Sequence, residues 1–124
     1  MRRDLDFCRT ILLRVADAPN DEPADLDFPD RQEGELVAHV EWLEEAGLLD
    51  AELTHDRFGQ ANGAFVKRLT WDGCDFLDAA RDPSLWEKAK EKFLSPGASW
   101  TFGIVKAWLK KEIMGELPDL GSSS

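Results

Sequence analysis

The sequence predicts an α+β domain, on three observations. Apolar residues recur at helical spacing in five separate stretches. Two segments between residues 51 and 70 read as strands about a glycine-bearing turn. A Leu-Thr-Trp-Asp-Gly string then leads from the second strand into a helix. A chain of 124 residues is long enough for one domain with a hydrophobic core, and 43% hydrophobic with 32% charged residues fits a globular chain rather than a disordered one.

Residues 4–18, DLDFCRTILLRVADA, put Leu5, Cys8, Leu12 and Val15 on one stripe with Ile11 beside it; Asp4 is the expected N-cap and Pro19 the stop. Residues 19–30, PNDEPADLDFPD, hold three prolines and five acids and form a connection, with a short extended piece expected at Leu26–Phe28. The second helix, EGELVAHVEWLEEAG, turns Leu36, Val40 and Leu43 inward at about 100° per residue, with Val37 and His39 at the margins. Gly47 is placed to end it. Strands are expected at 51–57 and 64–70, joined by FGQANG, in which Gly59 and Asn62-Gly63 tolerate positive φ. Thr70 caps the next helix, to which Trp71, Cys74, Phe76 and Leu77 give apolar substance. A helix over 84–94 carries Leu85, Trp86, Ala89 and Phe93. A last helix capped by Ser99 carries Ile104, Trp108 and Leu109.

Helix, helix, hairpin, helix is the order of a winged-helix domain, and Arg68-Leu69-Thr70-Trp71-Asp72-Gly73 suits the exit from its wing. The proline-rich acidic connection leaves no room for the middle helix such domains carry; a single helical turn at Asp30–Gln32 is the most expected there. The organisation is therefore one domain over 1–118, with a winged-helix-like core at 1–82, two C-terminal helices within 83–118, and a disordered tail at 119–124.

Three strings carry a family resemblance: R-R-D-L-D-F-C-R-T-I-L-L, A-H-V-E-W-L-E-E-A-G-L-L, and L-T-W-D-G-C-D-F-L-D-A-A-R-D followed by W-E-K-A-K-E-K. They resemble a family of small bacterial, phage and prophage proteins called domain of unknown function twenty-five-thirteen. The resemblance runs from Arg3 to about Leu109, with the 19–30 connection and the tail outside it. The chain is also similar, more loosely, to small phage-associated winged-helix proteins. The resemblance implies a setting of mobile elements and their hosts, and no catalytic residue, substrate or cofactor.

Charge argues against the usual use of a winged helix. The formal net charge is −10, which repels nucleic acid unless basic residues are gathered on one patch. From Asp17 to Glu52 there are thirteen acids against Arg31 alone, a local balance of 1 − 13 = −12. The second helix would present Gly34, Glu35, Ala38, Glu41, Trp42 and Glu45 outward. Of the usual base-reading side chains this face offers only glutamate, which can accept from cytosine. Glu35, Glu41, Trp42 and Glu45 are thus expected to bind a protein, with Trp42 either an anchor ringed by acids or packed under the C-terminal helices. Trp71, Trp86, Trp100 and Trp108 are assigned mainly to the core.

The cations lie elsewhere. The hairpin offers His55, Arg57, Lys67 and Arg68, and Pro83–Met114 carries six lysines against three acids, a balance of 6 − 3 = +3. Arg57, Lys67, Arg68, Lys106, Lys110 and Lys111 are the candidate nucleic-acid contacts of the alternative, a transcriptional regulator that binds DNA through wing and C-terminal lysines. The simpler alternative for the lysines is a solvated helix face with Glu87–Lys90 and Lys88–Glu91 as opposite-charge neighbours.

No nucleophile–base pair, phosphate-binding loop or metal spacing is present. Asp72, Asp75 and Asp78 recur every third residue but suit a helix start. Cys8 and Cys74 read as buried small hydrophobes and His39 as a satisfied, half-buried histidine. The expectation is a non-enzymatic, cytoplasmic interaction module without metal or cofactor and with no membrane role. Its partner would be a basic, nucleic-acid-binding host protein, towards which the acidic surface mimics nucleic-acid charge. A homodimer through the last helix is left open.

Overall fold

Five helices and one antiparallel hairpin make up the computed structural model, which describes residues 2–19 and 26–116. The arrangement is α+β and winged-helix-like: α1 (Leu5–Asp17), α2 (Glu33–Glu45), β1 (Leu49–His55), β2 (Ala61–Leu69), α3 (Trp71–Ala80), α4 (Pro83–Phe93) and α5 (Phe102–Glu116). The chain divides into two compact units, Met1–Leu77 and Asp78–Ser124. The division falls inside α3, ahead of the 82/83 boundary read from the sequence. The tail at 119–124 lies outside the described residues.

In the first unit, α1 starts where Asp4 leaves helical geometry and its carboxylate accepts the Phe7 N–H at 3.1 Å. It ends at Ala18, which Pro19 holds in extended backbone (ψ 147°). Leu5, Cys8, Ile11 and Leu12 are buried as the spacing predicts; Phe7 is buried too, and Val15 only half-buried. No helix lies between α1 and α2 among the described residues. In place of the expected helical turn at Asp30–Gln32 and extended piece at Leu26–Phe28, the Arg31 N–H closes a turn on the Phe28 carbonyl at 2.9 Å.

α2 ends in a Schellman motif, with Leu48 N–H on Leu43 O (3.0 Å), Gly47 N–H on Glu44 O (2.9 Å) and Gly47 at φ 79°. Its buried face is Val37, His39, Val40 and Leu43. Leu36, expected inward, is half-buried, and His39, expected at the margin, is 1% exposed.

β1 and β2 begin two to three residues earlier than expected. The turn is Asp56–Gln60, where the Asp56 carboxylate accepts the N–H groups of Phe58 (2.8 Å) and Gln60 (3.0 Å) and Gly59 takes φ 82°. Asn62-Gly63 therefore lies in β2, not in the turn. Asn62 meets Thr54 Oγ1 at 2.9 Å, and a Cβ on Gly63 would stand 2.6 Å from the same atom. Irregularities at Asp50/Ala51 and Thr54/His55 interrupt the register.

The hairpin leaves through the Leu69–Gly73 string because that string locks onto the end of α2. Thr70 N–H donates to Leu48 O (3.1 Å), Thr70 Oγ1 donates to Gly47 O (2.5 Å) and accepts Gly73 N–H (3.0 Å). Gly73 is required here: a Cβ would lie 1.8 Å from the Leu48 carbonyl oxygen.

α3 departs from two expectations. Trp71 is 86% exposed and Cys74 is exposed, since both sit on the outer side of the first turns, while Phe76 and Leu77 are buried. In the second unit, α4 is capped by Asp82 with Pro83 at its first position, and buries Leu85, Trp86, Ala89 and Phe93 as expected. α5 is capped by Thr101, which accepts Ile104 N–H at 3.2 Å, rather than by Ser99. It packs on α4 through Phe93 and Trp108, whose rings meet edge-on at 5.9 Å. Val105 and Leu109 are buried, Trp100 and Trp108 are half-buried, and Ile104, expected in the core, is half exposed.

Candidate functional site

The surface around α2 is built on the loop that approaches it. Arg31 spans both helices: one guanidinium nitrogen donates to Asp4 at 2.8 Å, the other to Glu35 at 3.3 Å, and its carbon lies 4.3 Å above the Phe7 ring. Arg14 of α1 lies 4.6 Å over Phe28, whose ring also meets Phe7 edge-on at 5.2 Å. The loop is thereby clamped to α1 by two cation–aromatic contacts and an ion-pair network.

His39 ties the two helices from beneath. Its Nε2 accepts the Asp4 N–H at 2.9 Å, and its Nδ1 lies 2.7 Å from the Glu35 carbonyl oxygen. An N–H can only donate and a carbonyl only accept, so this geometry assigns the neutral Nδ1–H tautomer. Phe7 and Trp42 flank the imidazole, each ring 5.0 Å away. Burial works to raise the Asp4 carboxyl, but the Phe7 N–H and the Arg31 guanidinium outweigh it and hold Asp4 below the usual carboxylate range.

This placement redistributes the four residues read from the sequence as a protein-binding face. Glu35 is half-buried and held by Arg31, so it serves the fold as well as the surface charge. Trp42 is half-buried against His39 and presents only part of its ring. Glu41 is half-buried and Glu45 exposed; Glu33, which the sequence assigned to no face, is exposed at the first position of α2. Glu44 and Glu45 close the helix with no basic residue in its last turn. Acids at a helix C-terminus oppose the macrodipole, so helix stability does not account for them.

Beside α2 runs a groove of about 480 Å³ that the sequence did not reveal. Leu36, Val37 and Val40 of α2 form one wall, and Ala64, Phe65 and Val66 of β2 another. Leu26 and Phe28 extend the apolar lining, with Asp27, Gln32 and Glu33 also at its boundary. Phe65 is half exposed. The Ala-Phe-Val run and the lone Phe28 carry no pattern that would mark them as facing one another.

The candidate nucleic-acid residues lie on the hairpin and on α5. Lys67 pairs with Glu52 and Arg68 with Asp50, each at 2.9 Å across or along the hairpin. Arg57 lies 5.1 Å over the ring of Phe58, which is 81% exposed at the turn. Lys106 is half-buried on α5, and Lys110 and Lys111 are exposed there. On α4, Lys90 and Glu87 meet at 3.0 Å, as their spacing predicts. Among the described residues no group of His, Cys, Asp or Glu is arranged to hold a metal ion, and no helix is long and apolar enough to cross a membrane.

A family model described as Hypothetical protein (DUF2513) matches residues 2–99. The match takes in the hairpin, the Leu69–Gly73 junction and α4, and stops before α5, short of the Leu109 limit of the resemblance read from the sequence. No curated protein and no solved structure matches the chain.

Proposed function

We propose that this chain, which belongs to the DUF2513 family, is a non-enzymatic interaction module of phage or prophage origin that binds a basic protein through α2 and its approach loop. The observation that carries this reading is the −12 balance from Asp17 to Glu52, centred on the helix that precedes the hairpin, the place in the element order where a winged-helix domain carries its DNA-reading helix. A helix bearing five glutamates repels phosphates and attracts the lysine- and arginine-rich surfaces that bind them. The partner class is therefore a host protein that itself binds nucleic acid, met by a surface that mimics nucleic-acid charge. Glu33, Glu41 and Glu45 supply exchangeable charge, while Glu35 stays with Arg31.

Reversal of Glu33, Glu41 and Glu45 to lysine, with Glu35 retained to spare the Arg31 network, is expected to abolish capture of a basic nucleic-acid-binding protein from host extract. Capture of the same protein by the reversed variant contradicts the assignment.

Wing-led contact with nucleic acid is the second reading, favoured by Arg57 stacked over the exposed Phe58 at the hairpin turn. It requires duplex binding at about 50 mM salt, with affinity falling linearly against log salt. Absence of such binding removes it.

A further inference from the structure

We propose that the groove between α2 and β2 takes an extended basic segment of the protein partner, which lies along the open edge of β2 with apolar side chains inside and lysine or arginine side chains towards the acidic rim. The proposal rests on the protein-binding function above and names the chemistry of what is bound.

Three observations converge on it. Ala64, Phe65 and Val66 are consecutive in β2, and side chains of consecutive strand residues point to opposite faces. A groove bordered by all three therefore runs along the strand's edge rather than over one face. The sheet has two strands, so β2 pairs with β1 on one side and has no strand on the other among the described residues. An edge of this kind offers main-chain donors and acceptors to an added strand.

The groove is also sized and lined for side chains. At about 480 Å³ it lies within the range of roughly 300–1,000 Å³ usual for binding pockets. Leu36, Val40 and Phe65 give it an apolar lining, and half of the Phe65 surface is exposed. Its opposite wall is preorganised, because Arg14 and Phe7 clamp Phe28.

Charge selects the occupant. Asp27 and Glu33 border the groove; Arg31, which also borders it, is paired with Asp4 and Glu35, and Arg14 is stacked on Phe28 at its margin. An acidic or nucleic-acid strand would meet the like charge of Asp27 and Glu33. A segment alternating cationic and apolar residues satisfies the rim and the lining together, by the two-residue period of a strand.

Fluorescence anisotropy with labelled ten-residue probes at about 50 mM salt tests this. An alternating Lys-Val peptide should bind at least tenfold more tightly than Lys-Ser of equal charge, and Glu-Val should not bind. N-methylation of every second residue of Lys-Val should weaken it at least tenfold, because it removes main-chain donors that pair with β2; unchanged affinity overturns the edge placement. Ala64→Trp fills the groove and should lower Lys-Val affinity at least tenfold. Glu33→Lys, which leaves the groove volume intact, should lower it severalfold, and it serves alone if Ala64→Trp melts below the wild type. Equal binding of Lys-Val and Lys-Ser, or unchanged affinity in these variants, overturns the groove assignment. Binding of a labelled duplex in place of the peptides overturns the partner class. If Ala64→Trp still captures the host protein while the Glu33, Glu41 and Glu45 reversal does not, the groove proposal falls and the proposed function stands.

Discussion

Gly73→Ala is the substitution that best tests how α2, the hairpin and α3 are joined. In an open helix, alanine in place of glycine is worth about 0.8–1 kcal/mol of stability. At position 73 the new Cβ would stand 1.8 Å from Leu48 O and 2.8 Å from the Leu48 carbonyl carbon. Both atoms are backbone in the turn that ends α2, so they cannot swing aside as a side-chain tip would. Relief requires the start of α3 to withdraw, which stretches the bonds from Thr70 N–H to Leu48 O and from Gly73 N–H to Thr70 Oγ1. Overpacking of this kind costs about 1–3 kcal/mol, and each weakened hydrogen bond about 0.5–1.5 kcal/mol. Set against the helix-propensity gain, the net loss is about 1–5 kcal/mol, a fall in Tm of roughly 4–20 °C for a chain of this length. Circular dichroism during thermal and urea unfolding measures it. Gly34→Ala is the control: Gly34 lies in the first turn of α2 with nothing within 4 Å of its would-be Cβ, so alanine should stabilise by about 0.5 kcal/mol. A Gly73→Ala protein as stable as the wild type would refute the junction as described.

Other outcomes follow from individual side chains. Asp4→Ala removes the N-cap of α1 and should cost about 0.5–2 kcal/mol at neutral pH. Because the folded Asp4 sits below its ordinary value, its contribution is complete above that value and is lost as pH falls through the folded one, so the variant should show a shallower acid limb in stability against pH. Burial, with the Asp4 charge adding to it, pushes the Cys8 thiol up to about 12. The unfolded chain therefore loses this proton first, and stability should decline as pH rises from the ordinary thiol range towards 12, a decline that Cys8→Ala reduces. A thiol reagent at neutral pH should label the exposed Cys74 at once and Cys8 only after unfolding; rapid double labelling would contradict the burial of Cys8. Trp71→Ser should change stability by no more than about 0.5 kcal/mol, whereas Trp86→Ala should cost about 3–5 kcal/mol, both by urea titration.

The elements legible in the sequence are those whose signals are local. Asp4 before an apolar stripe, Gly47 after one, and Thr70 three residues ahead of Gly73 each act through a bond within a few residues, and the structure has each in the expected role. Where the structure departs from the sequence pattern, the partners are distant in sequence. His39 looked marginal because its two hydrogen-bond partners, the Asp4 N–H and the Glu35 carbonyl, are brought to it by the packing of α1 on α2. Glu35 looked outward because its hold by Arg31 depends on where the approach loop turns. The amphipathic pattern places Trp71 and Ile104 among the apolar positions of their helices, and their exposure is set by which side of a helix start faces the chain. Asn62-Gly63 resembles a hairpin turn, yet Asp56 captures Phe58 and Gln60 first and moves the turn towards the N-terminus. The groove was invisible because its walls, at Leu26–Phe28, α2 and β2, meet only in the folded chain.

The acidic α2 surface as a protein-binding face is tested most directly by hydrogen–deuterium exchange on the chain with its captured host partner. Slowed exchange at residues 26–45 and along β2, with the hairpin turn at 56–60 and α5 unchanged, is the predicted result. Protection confined to the hairpin turn and α5, with α2 exchanging as in the free chain, would contradict it.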